Sequence, residues 1–297
     1  MLSHSRSCRP RTPRTPSIGP LSVLHAIILG IVQGLSEFLP ISSSGHLILV
    51  PELFGWTELT SNDSLNKTFD VALHVGTLIA VLAYFRHEVL SYVVAAWHSI
   101  RTRSITTVDE RLAWLLLITA IPGAVIGALF TSVIEDNLGD PILIGVNMIL
   151  FALVLKWADG LAGDRPTEQF QRRDAILMGL AQALALAPGV SRSGATISAG
   201  RWLRFDRASA AKLSFLMSIP ITGGAALYKG AEMFRDGGIP SGFGAAFFWG
   251  IMASMVSGFL AIAFLLRFVR THSFTPFVIY RIVLGVAVII VFATGIR

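Results

Sequence analysis

The chain has 297 residues, of which 53% are hydrophobic and only 14% are charged. Soluble domains carry roughly 25% charged residues, so this composition and a mean hydropathy of +0.67 exclude an ordinary soluble domain. The net charge of +6 does not predict a nucleic-acid partner, because basic residues between membrane spans set topology and meet anionic headgroups. The single cysteine, Cys8, excludes an internal disulfide and a cysteine metal cluster.

The N-terminal residues 1–20 are rich in Arg, Pro and Ser, and they are predicted to form a disordered basic extension. A single membrane domain follows at 21–297. Its first apolar stretch does not read as a cleaved signal peptide, because Glu37 interrupts it and no small-residue cleavage site follows. We therefore expect this stretch to be retained.

Apolar runs free of Asp, Glu, Lys and Arg predict six membrane-spanning helices. A spanning helix needs about 20 mostly apolar residues, and its backbone polar groups must be satisfied internally. The predicted spans contain residues 71–85, 112–134, 141–155, 213–228, 237–266 and 282–296. The fold class is therefore an all-α polytopic membrane protein.

Two further segments, 30–48 and 179–197, align without a gap when the chain is shifted by 149 residues. The positions identical in both are Gly30/Gly179, Gln33/Gln182, Leu35/Leu184, Ser42/Ser191, Ser44/Ser193, Gly45/Gly194 and Ile48/Ile197. In each segment an apolar stretch runs into a proline and then a Ser/Gly cluster. Proline ends a helix and serine can cap the next one, so each segment is predicted to be a re-entrant helix–break–helix hairpin.

The predicted topology is an inverted repeat. Repeat one covers about 21–157 and repeat two about 171–297, each with one hairpin and three spans. Three crossings turn the second repeat over relative to the first, so the hairpins meet from opposite faces. The basic segments 86–111, 201–212 and 267–270 favour the inner face and the acidic segment 135–140 the outer face. This orientation places both termini outside, and the basic N-terminal tail contradicts it, because basic segments favour the inner face.

Ionisable and hydroxyl side chains lie within the first hairpin. Gln33 and Glu37 are four residues apart and share a helix face. A carboxylate at membrane depth is costly and suggests function, although Glu37 could instead snorkel to the interface. His46 can act as an acid, a base or a nucleophile; the alternative is a hydrogen bond between helices.

Three consecutive hydroxyls, Ser42, Ser43 and Ser44, precede Gly45 in this hairpin. Serines can act as nucleophile, cap or hydrogen-bond donor, and amides at the start of the following helix favour an anion. The alternative for these serines is tight helix packing.

The second hairpin carries Arg192, surrounded by Ser191, Ser193 and Thr196. Arginine suits bidentate recognition of phosphate, whereas a structural ion pair with Glu37 is the alternative. If the hairpins meet, one site contains a carboxylate, a histidine, several hydroxyls and an arginine. That set of side chains fits phosphoryl transfer. Outside the hairpins, His74 lies in a span and either lines the cavity or only hydrogen-bonds, and Arg281 is expected to snorkel.

These residues carry a family resemblance. The Gln-x-x-x-Glu motif at 33–37, Pro-Ile-Ser-Ser-Ser-Gly-His at 40–46 and Pro-Gly-Val-Ser-Arg-Ser-Gly-Ala-Thr at 188–196 resemble the signature motifs of bacterial undecaprenyl-diphosphate phosphatase, the bacitracin-resistance family. The resemblance runs from about Leu21 to the C-terminus.

The resemblance implies a hydrolase that converts undecaprenyl diphosphate to undecaprenyl phosphate and inorganic phosphate. The lipid phosphate is recycled as the carrier for cell-wall synthesis, and the hydrolase confers bacitracin resistance. The resemblance also implies a divalent cation, Mg²⁺ or Ca²⁺, and a site open to the outer side of the bacterial cytoplasmic (inner) membrane. Carried over by position, Glu37 and Gln33 hold the metal and diphosphate, although Gln33 lacks charge. Ser43 or His46 is the nucleophile or acid/base, and Arg192 clamps the phosphates.

By the same resemblance, the remaining hydroxyls bind substrate: Ser42, Ser44, Ser191, Ser193 and Thr196. The sequence leaves open whether the protein forms a homodimer. The alternative function is a lipid-carrier flippase or transporter, because broken helices that meet at the midplane are also a transporter architecture. A nucleophile beside a phosphate clamp favours the enzyme.

Overall fold

A computed structural model describes residues 21–56, 63–235, 238–239 and 242–294. The predicted extension at 1–20 lies outside these residues. The described part contains a short 3-10 helix, Thr167–Gln169, an isolated bridge between Arg165 and Phe205, and no β-strand. Its α-helices are α1 Val23–Phe38, α2 Ser43–Phe54, α3 Asp63–Tyr84, α4 Arg86–Thr102, α5 Val108–Asn137, α6 Pro141–Asp159, α7 Arg172–Leu184, α8 Arg192–Trp202, α9 Arg207–Arg235, α10 Gly244–Phe268 and α11 Thr275–Thr294.

Within the described residues, six helices are long and apolar enough to cross a membrane, which confirms the predicted number. The spans are Leu65–Tyr84, Val108–Phe130, Pro141–Asp159, Arg207–Met233, Gly244–Phe268 and Thr275–Thr294. Several begin earlier than the charge-free runs, because charged residues near an interface continue a helix without ending it. The chain is therefore a multi-pass, all-helical membrane protein.

The helices of the two repeated segments are shorter. Helices α1 and α2 have 16 and 12 residues, and α7 and α8 have 13 and 11. At 1.5 Å per residue they extend roughly 16–24 Å, less than the ~30 Å hydrocarbon core. None of the four can cross a bilayer by itself. Each interruption contains the predicted proline: α1 ends two residues before Pro40, and α7 ends four residues before Pro188.

Small residues let the short helices approach the spans closely. Helix α1 packs along α10, and α7 packs along α5. A Cβ on Gly30 of α1 would overlap the Gly250 carbonyl oxygen of α10. A Cβ on Gly179, the repeat-related position in α7, would lie 2.8 Å from the Thr119 carbonyl oxygen of α5. Close backbone packing through small residues is the usual basis of helix association in membranes.

Gly34 provides a test of this packing. A Cβ there would overlap Ser257 Oγ and the Ser254 carbonyl oxygen and lie 2.6 Å from the Gly258 amide nitrogen. We expect Gly34→Ala to destabilise the protein by about 1–3 kcal/mol through overpacking. Tryptophan fluorescence during thermal unfolding in detergent measures the change.

Gly230→Ala is the matched control. Gly230 also lies in a helix, but a Cβ there has nothing within 4 Å. Alanine replaces a flexible helical glycine, so we expect an unchanged or higher Tm. Equal Tm values for the two variants would contradict the close packing of α1 on α10.

Candidate active site

The two helix breaks have nearly the same backbone conformation. Ser42, before α2, has φ 77° and ψ 100°, and Ser191, before α8, has φ 68° and ψ 111°. Positive φ is strained for a residue with a side chain, by about 1–3 kcal/mol, and such strain concentrates at functional sites. The repeat found in the sequence therefore extends to this strained geometry.

The serines around the breaks form matching contacts. Ser42 Oγ lies 3.3 Å from Ser44 Oγ, and Ser191 Oγ lies 3.3 Å from Ser193 Oγ. Ser191 also accepts a hydrogen bond from the Gly194 amide, which confirms the expected helix cap. Ser42 makes no such cap contact, so the capping prediction is wrong for the first of the two segments.

Hydrogen bonds join the two breaks directly. The Gly189 amide donates to Ser44 Oγ at 3.2 Å, and Ser193 Oγ donates to the Leu39 carbonyl oxygen at 3.0 Å. Backbone groups exposed by each interruption thus find hydrogen-bond partners in the other segment, as buried backbone polar groups require.

Glu37 is the centre of the site and is only 7% exposed. Its Oε1 accepts hydrogen bonds from Arg192 Nη2 at 3.1 Å and Nε at 3.3 Å. Its Oε2 accepts from Ser43 Oγ at 2.9 Å and Gln33 Nε2 at 3.2 Å. A buried carboxylate needs such pairing, so the snorkelling alternative for Glu37 does not describe this structure.

Arg192 is held on both sides. Beyond its contact with Glu37, its Nη1 donates to the Ser214 carbonyl oxygen of α9 at 3.1 Å. Thr196 is fully buried; its Oγ1 donates to the Arg192 carbonyl oxygen at 2.8 Å and lies 2.6 Å from Ser214 Oγ. Thr196 therefore supports the start of α8 that carries Arg192.

The two histidines of interest occupy different places. His74 of α3 has its Nε2 atom 3.6 Å from Glu37 Oε2, so it belongs to the site. His46 has Nδ1 2.6 Å from the Ser42 carbonyl oxygen and Nε2 2.7 Å from Tyr280 Oη. The rings of His46 and Tyr280 also stack. Sequence reasoning gave Tyr280 no role, because nothing in the pattern relates it to the first hairpin.

A cavity of about 310 Å³ opens beside Glu37. Its lining residues are Glu37, Ser42, Ser43, Ser44, Val71, His74, Ala185, Ser191, Arg192, Ile221, Thr222, Ala225 and Ala226. Four other candidates do not line this cavity: Gln33, His46, Ser193 and Thr196. Helices α1, α2, α3, α8 and α9 thus bring polar and apolar groups to one space, which suits a ligand with a charged head and an apolar chain.

The residues can hold a divalent cation only in part. Among the described residues, no group of three or more His, Cys, Asp or Glu side chains could hold a metal ion. Glu37 offers one carboxylate, and Gln33 has a buried Oε1 without a hydrogen-bond partner. One or two protein ligands suit an ion such as Mg²⁺, which keeps waters and binds substrate phosphates.

Arg281 of α11 is fully buried, so the expectation that it snorkels is wrong. Its Nη2 donates to the carbonyl oxygens of Gly189 and Val190 at 3.0 and 2.9 Å. Asn147 donates to the preceding Pro188 carbonyl oxygen at 2.9 Å. Three consecutive carbonyls before Ser191 are therefore bound by side chains of α6 and α11, which holds the second break in place.

Fold and site together define a multi-pass membrane protein with a buried carboxylate–arginine pair and hydroxyls around a cavity. The family model for bacitracin resistance protein BacA matches residues 26–287. The chain belongs to this family.

Several curated relatives are similar over nearly their whole length. The undecaprenyl-diphosphatase of Pelobacter propionicus is 47% identical over 278 residues, which cover 93% of this chain and 99% of the relative. That of Gemmatimonas aurantiaca is 44% identical, covering 92% and 98%. That of Pelotomaculum thermopropionicum is 43% identical, with the same coverage.

Proposed function

We propose that this chain is a membrane phosphatase that hydrolyses undecaprenyl diphosphate to undecaprenyl phosphate and inorganic phosphate. The observation that carries the proposal is the contact of Glu37 with both Ser43 and Arg192 at one cavity. The names of the relatives supply the substrate. The product returns to cell-wall synthesis as the lipid carrier, and its recycling confers bacitracin resistance.

Ser43 is the proposed nucleophile. Its Oγ donates to Glu37 Oε2 and borders the cavity, so Glu37 can accept the hydroxyl proton as Oγ attacks the terminal phosphorus. The bond from that phosphorus to the bridging oxygen breaks, and this oxygen leaves on undecaprenyl phosphate. Water then attacks the phosphoserine phosphorus, the phosphorus–Oγ bond breaks, and inorganic phosphate leaves. The proton held by Glu37 returns to Ser43 Oγ, which restores both side chains.

Arg192 is the proposed phosphate clamp. A guanidinium presents five donors in a fixed plane and stays charged. Its Nε and Nη2 donate to Glu37 Oε1, and its Nη1 donates to the Ser214 carbonyl oxygen. These three contacts orient the guanidinium at the cavity. The guanidinium stabilises the negative charge of the diphosphate and of the transferring phosphoryl group.

The proposed cofactor is a divalent cation, Mg²⁺ or Ca²⁺, near Glu37. When bound, such an ion supplies charge neutralisation for the diphosphate oxygens. Ser42, Ser44 and Ser191 border the cavity and serve as donors to the substrate, whereas Ser193 and Thr196 support the hairpins.

The proposed architecture is an inverted repeat with two re-entrant hairpins. In the two repeats, α1 corresponds to α7, α3 to α9 and α5 to α10. The packing follows this correspondence: α1 and α3 pack on α10, and α7 and α9 pack on α5. Helices α6 and α11, which exchange with each other, pack together. The matching strain at Ser42 and Ser191 also supports the repeat.

The proposed location is the bacterial cytoplasmic membrane, with the cavity open to its outer side. Basic connections such as 86–111 support an inner-face assignment for those loops. Homodimer formation remains a prediction. The transporter alternative is not favoured, because the curated relatives carry a phosphatase name and Ser43 contacts a buried base.

Phosphate release tests the proposed function. Protein purified in detergent is supplied with undecaprenyl diphosphate and Mg²⁺ or Ca²⁺, and inorganic phosphate is measured over time. We expect multiple turnovers and a loss of activity on addition of EDTA that excess Mg²⁺ restores. If protein that unfolds cooperatively on heating releases no phosphate with either ion, the proposal is wrong.

A further inference from the structure

His74 is held as metal-binding histidines are held. Its Nδ1 atom lies 2.7 Å from the Asp70 carbonyl oxygen. A carbonyl only accepts hydrogen bonds, so Nδ1 carries a proton, and in the neutral ring the lone pair is then on Nε2. Metal-ligating histidines almost always donate their other ring N–H to a carboxylate, a carbonyl or water, which fixes the tautomer and the ring orientation.

The free nitrogen faces the carboxylate of Glu37. Nε2 lies 3.6 Å from Glu37 Oε2, beyond ordinary hydrogen-bond length. Two ligands about 2.0–2.2 Å from one ion can have such a separation. Both residues line the cavity, and the His74 side chain is 37% exposed, so an ion can reach the space between them.

Gln33 is placed less well for this purpose. It is fully buried and does not line the cavity. Its amide nitrogen donates to Glu37 Oε2, which orients the carboxylate. This arrangement makes Gln33 a positioning residue for Glu37 and leaves the second protein ligand to come from another helix.

We propose that His74 Nε2 and the Glu37 carboxylate together bind the divalent cation, and that His74 shifts its preference toward Mn²⁺ or Co²⁺ over Ca²⁺. Imidazole suits first-row transition ions, whereas carboxylate, carbonyl and water ligands suit Mg²⁺ and Ca²⁺. The proposal rests on the proposed function for the existence of the ion and adds its ligand and its class.

Pulsed EPR of Mn²⁺-loaded protein in detergent, without substrate, tests this ligand. We expect electron spin echo modulation from a directly bound ¹⁴N nucleus in the wild type and its loss in His74→Gln. Titration of the free Mn²⁺ signal is expected to show affinity reduced about tenfold or more, with Ca²⁺ affinity changed less. His87→Gln is the matched control, because His87 is exposed on α4, and it should keep the modulation.

Three results would each overturn the proposal: no Mn²⁺ binding by folded wild type, bound Mn²⁺ without ¹⁴N modulation, or modulation that persists in His74→Gln. Phosphate release by the same preparations separates the two proposals. Wild type that hydrolyses substrate without ¹⁴N modulation sinks only the His74 ligand. Wild type that binds Mn²⁺ through His74 but releases no phosphate sinks only the phosphatase.

Discussion

Arg192→Lys is expected to lower kcat/KM for undecaprenyl diphosphate by about 10³-fold, the lower end of the effect of a transition-state arginine in phosphoryl transfer. Arg192 donates from Nε and Nη2 to Glu37 and from Nη1 to Ser214. A lysine keeps the positive charge but offers a single nitrogen, so it cannot contact both α1 and α9 in the same way. The orientation toward the cavity is therefore lost.

Lysine is a better test than alanine, because alanine would leave Glu37 without its ion-pair partner and destabilise the folded protein. The Arg192 and Glu37 side chains are 14% and 8% exposed, and removal of one partner of a buried ion pair costs about 3–5 kcal/mol. Arg270→Lys, at an exposed position after α10, is the control and should keep normal kinetics. A kcat/KM of Arg192→Lys within threefold of wild type would show that the guanidinium does not bind the diphosphate.

Ser43→Ala is expected to lower kcat by at least about 10²-fold, while His46→Gln lowers it far less. The Ser43 hydroxyl contacts Glu37 and borders the cavity, and a positioned proton transfer contributes about 10²–10⁴-fold. His46 has both ring nitrogens bound, to the Ser42 carbonyl and to Tyr280, and it does not line that cavity. Steady-state phosphate release compares the two variants.

A second measurement identifies the attacking atom. Wild type is quenched with acid during turnover and digested, and mass spectrometry then searches the peptide that contains Ser43 for phosphoserine. The serine mechanism predicts phosphate on Ser43 in the wild type and none in Ser43→Ala. An active Ser43→Ala together with an inactive, well-folded His46→Gln would transfer the nucleophile role to His46.

The sequence was informative where the physics is local. Charge-free length alone predicts the six spans, because each helix in lipid must satisfy its own backbone, and all six were found. A proline followed within three residues by a serine predicts each helix break, and the breaks at Ser42 and Ser191 share one unusual conformation. The i,i+4 spacing of Gln33 and Glu37 places them in hydrogen-bond contact.

The sequence was less informative where contacts join distant helices. The motif Ser-Ser-Ser-Gly-His made His46 the catalytic candidate, whereas His74 lies among apolar residues of a span and carries no motif. The structure places His74 at Glu37 and His46 at Tyr280. Arg281 resembles an interfacial arginine in sequence, yet it is buried against Gly189 and Val190.

By itself, the sequence determined that this is a membrane protein of six spans, with polar chemistry concentrated in two related segments around Glu37 and Arg192. Apolar length, proline and residue spacing act within one helix, so they can be read without knowing its neighbours. Only the tertiary structure decided which polar side chains share the cavity. That choice depends on how closely the helices pack, as at Gly30 and Gly34, and on which buried group across the interface each side chain can reach.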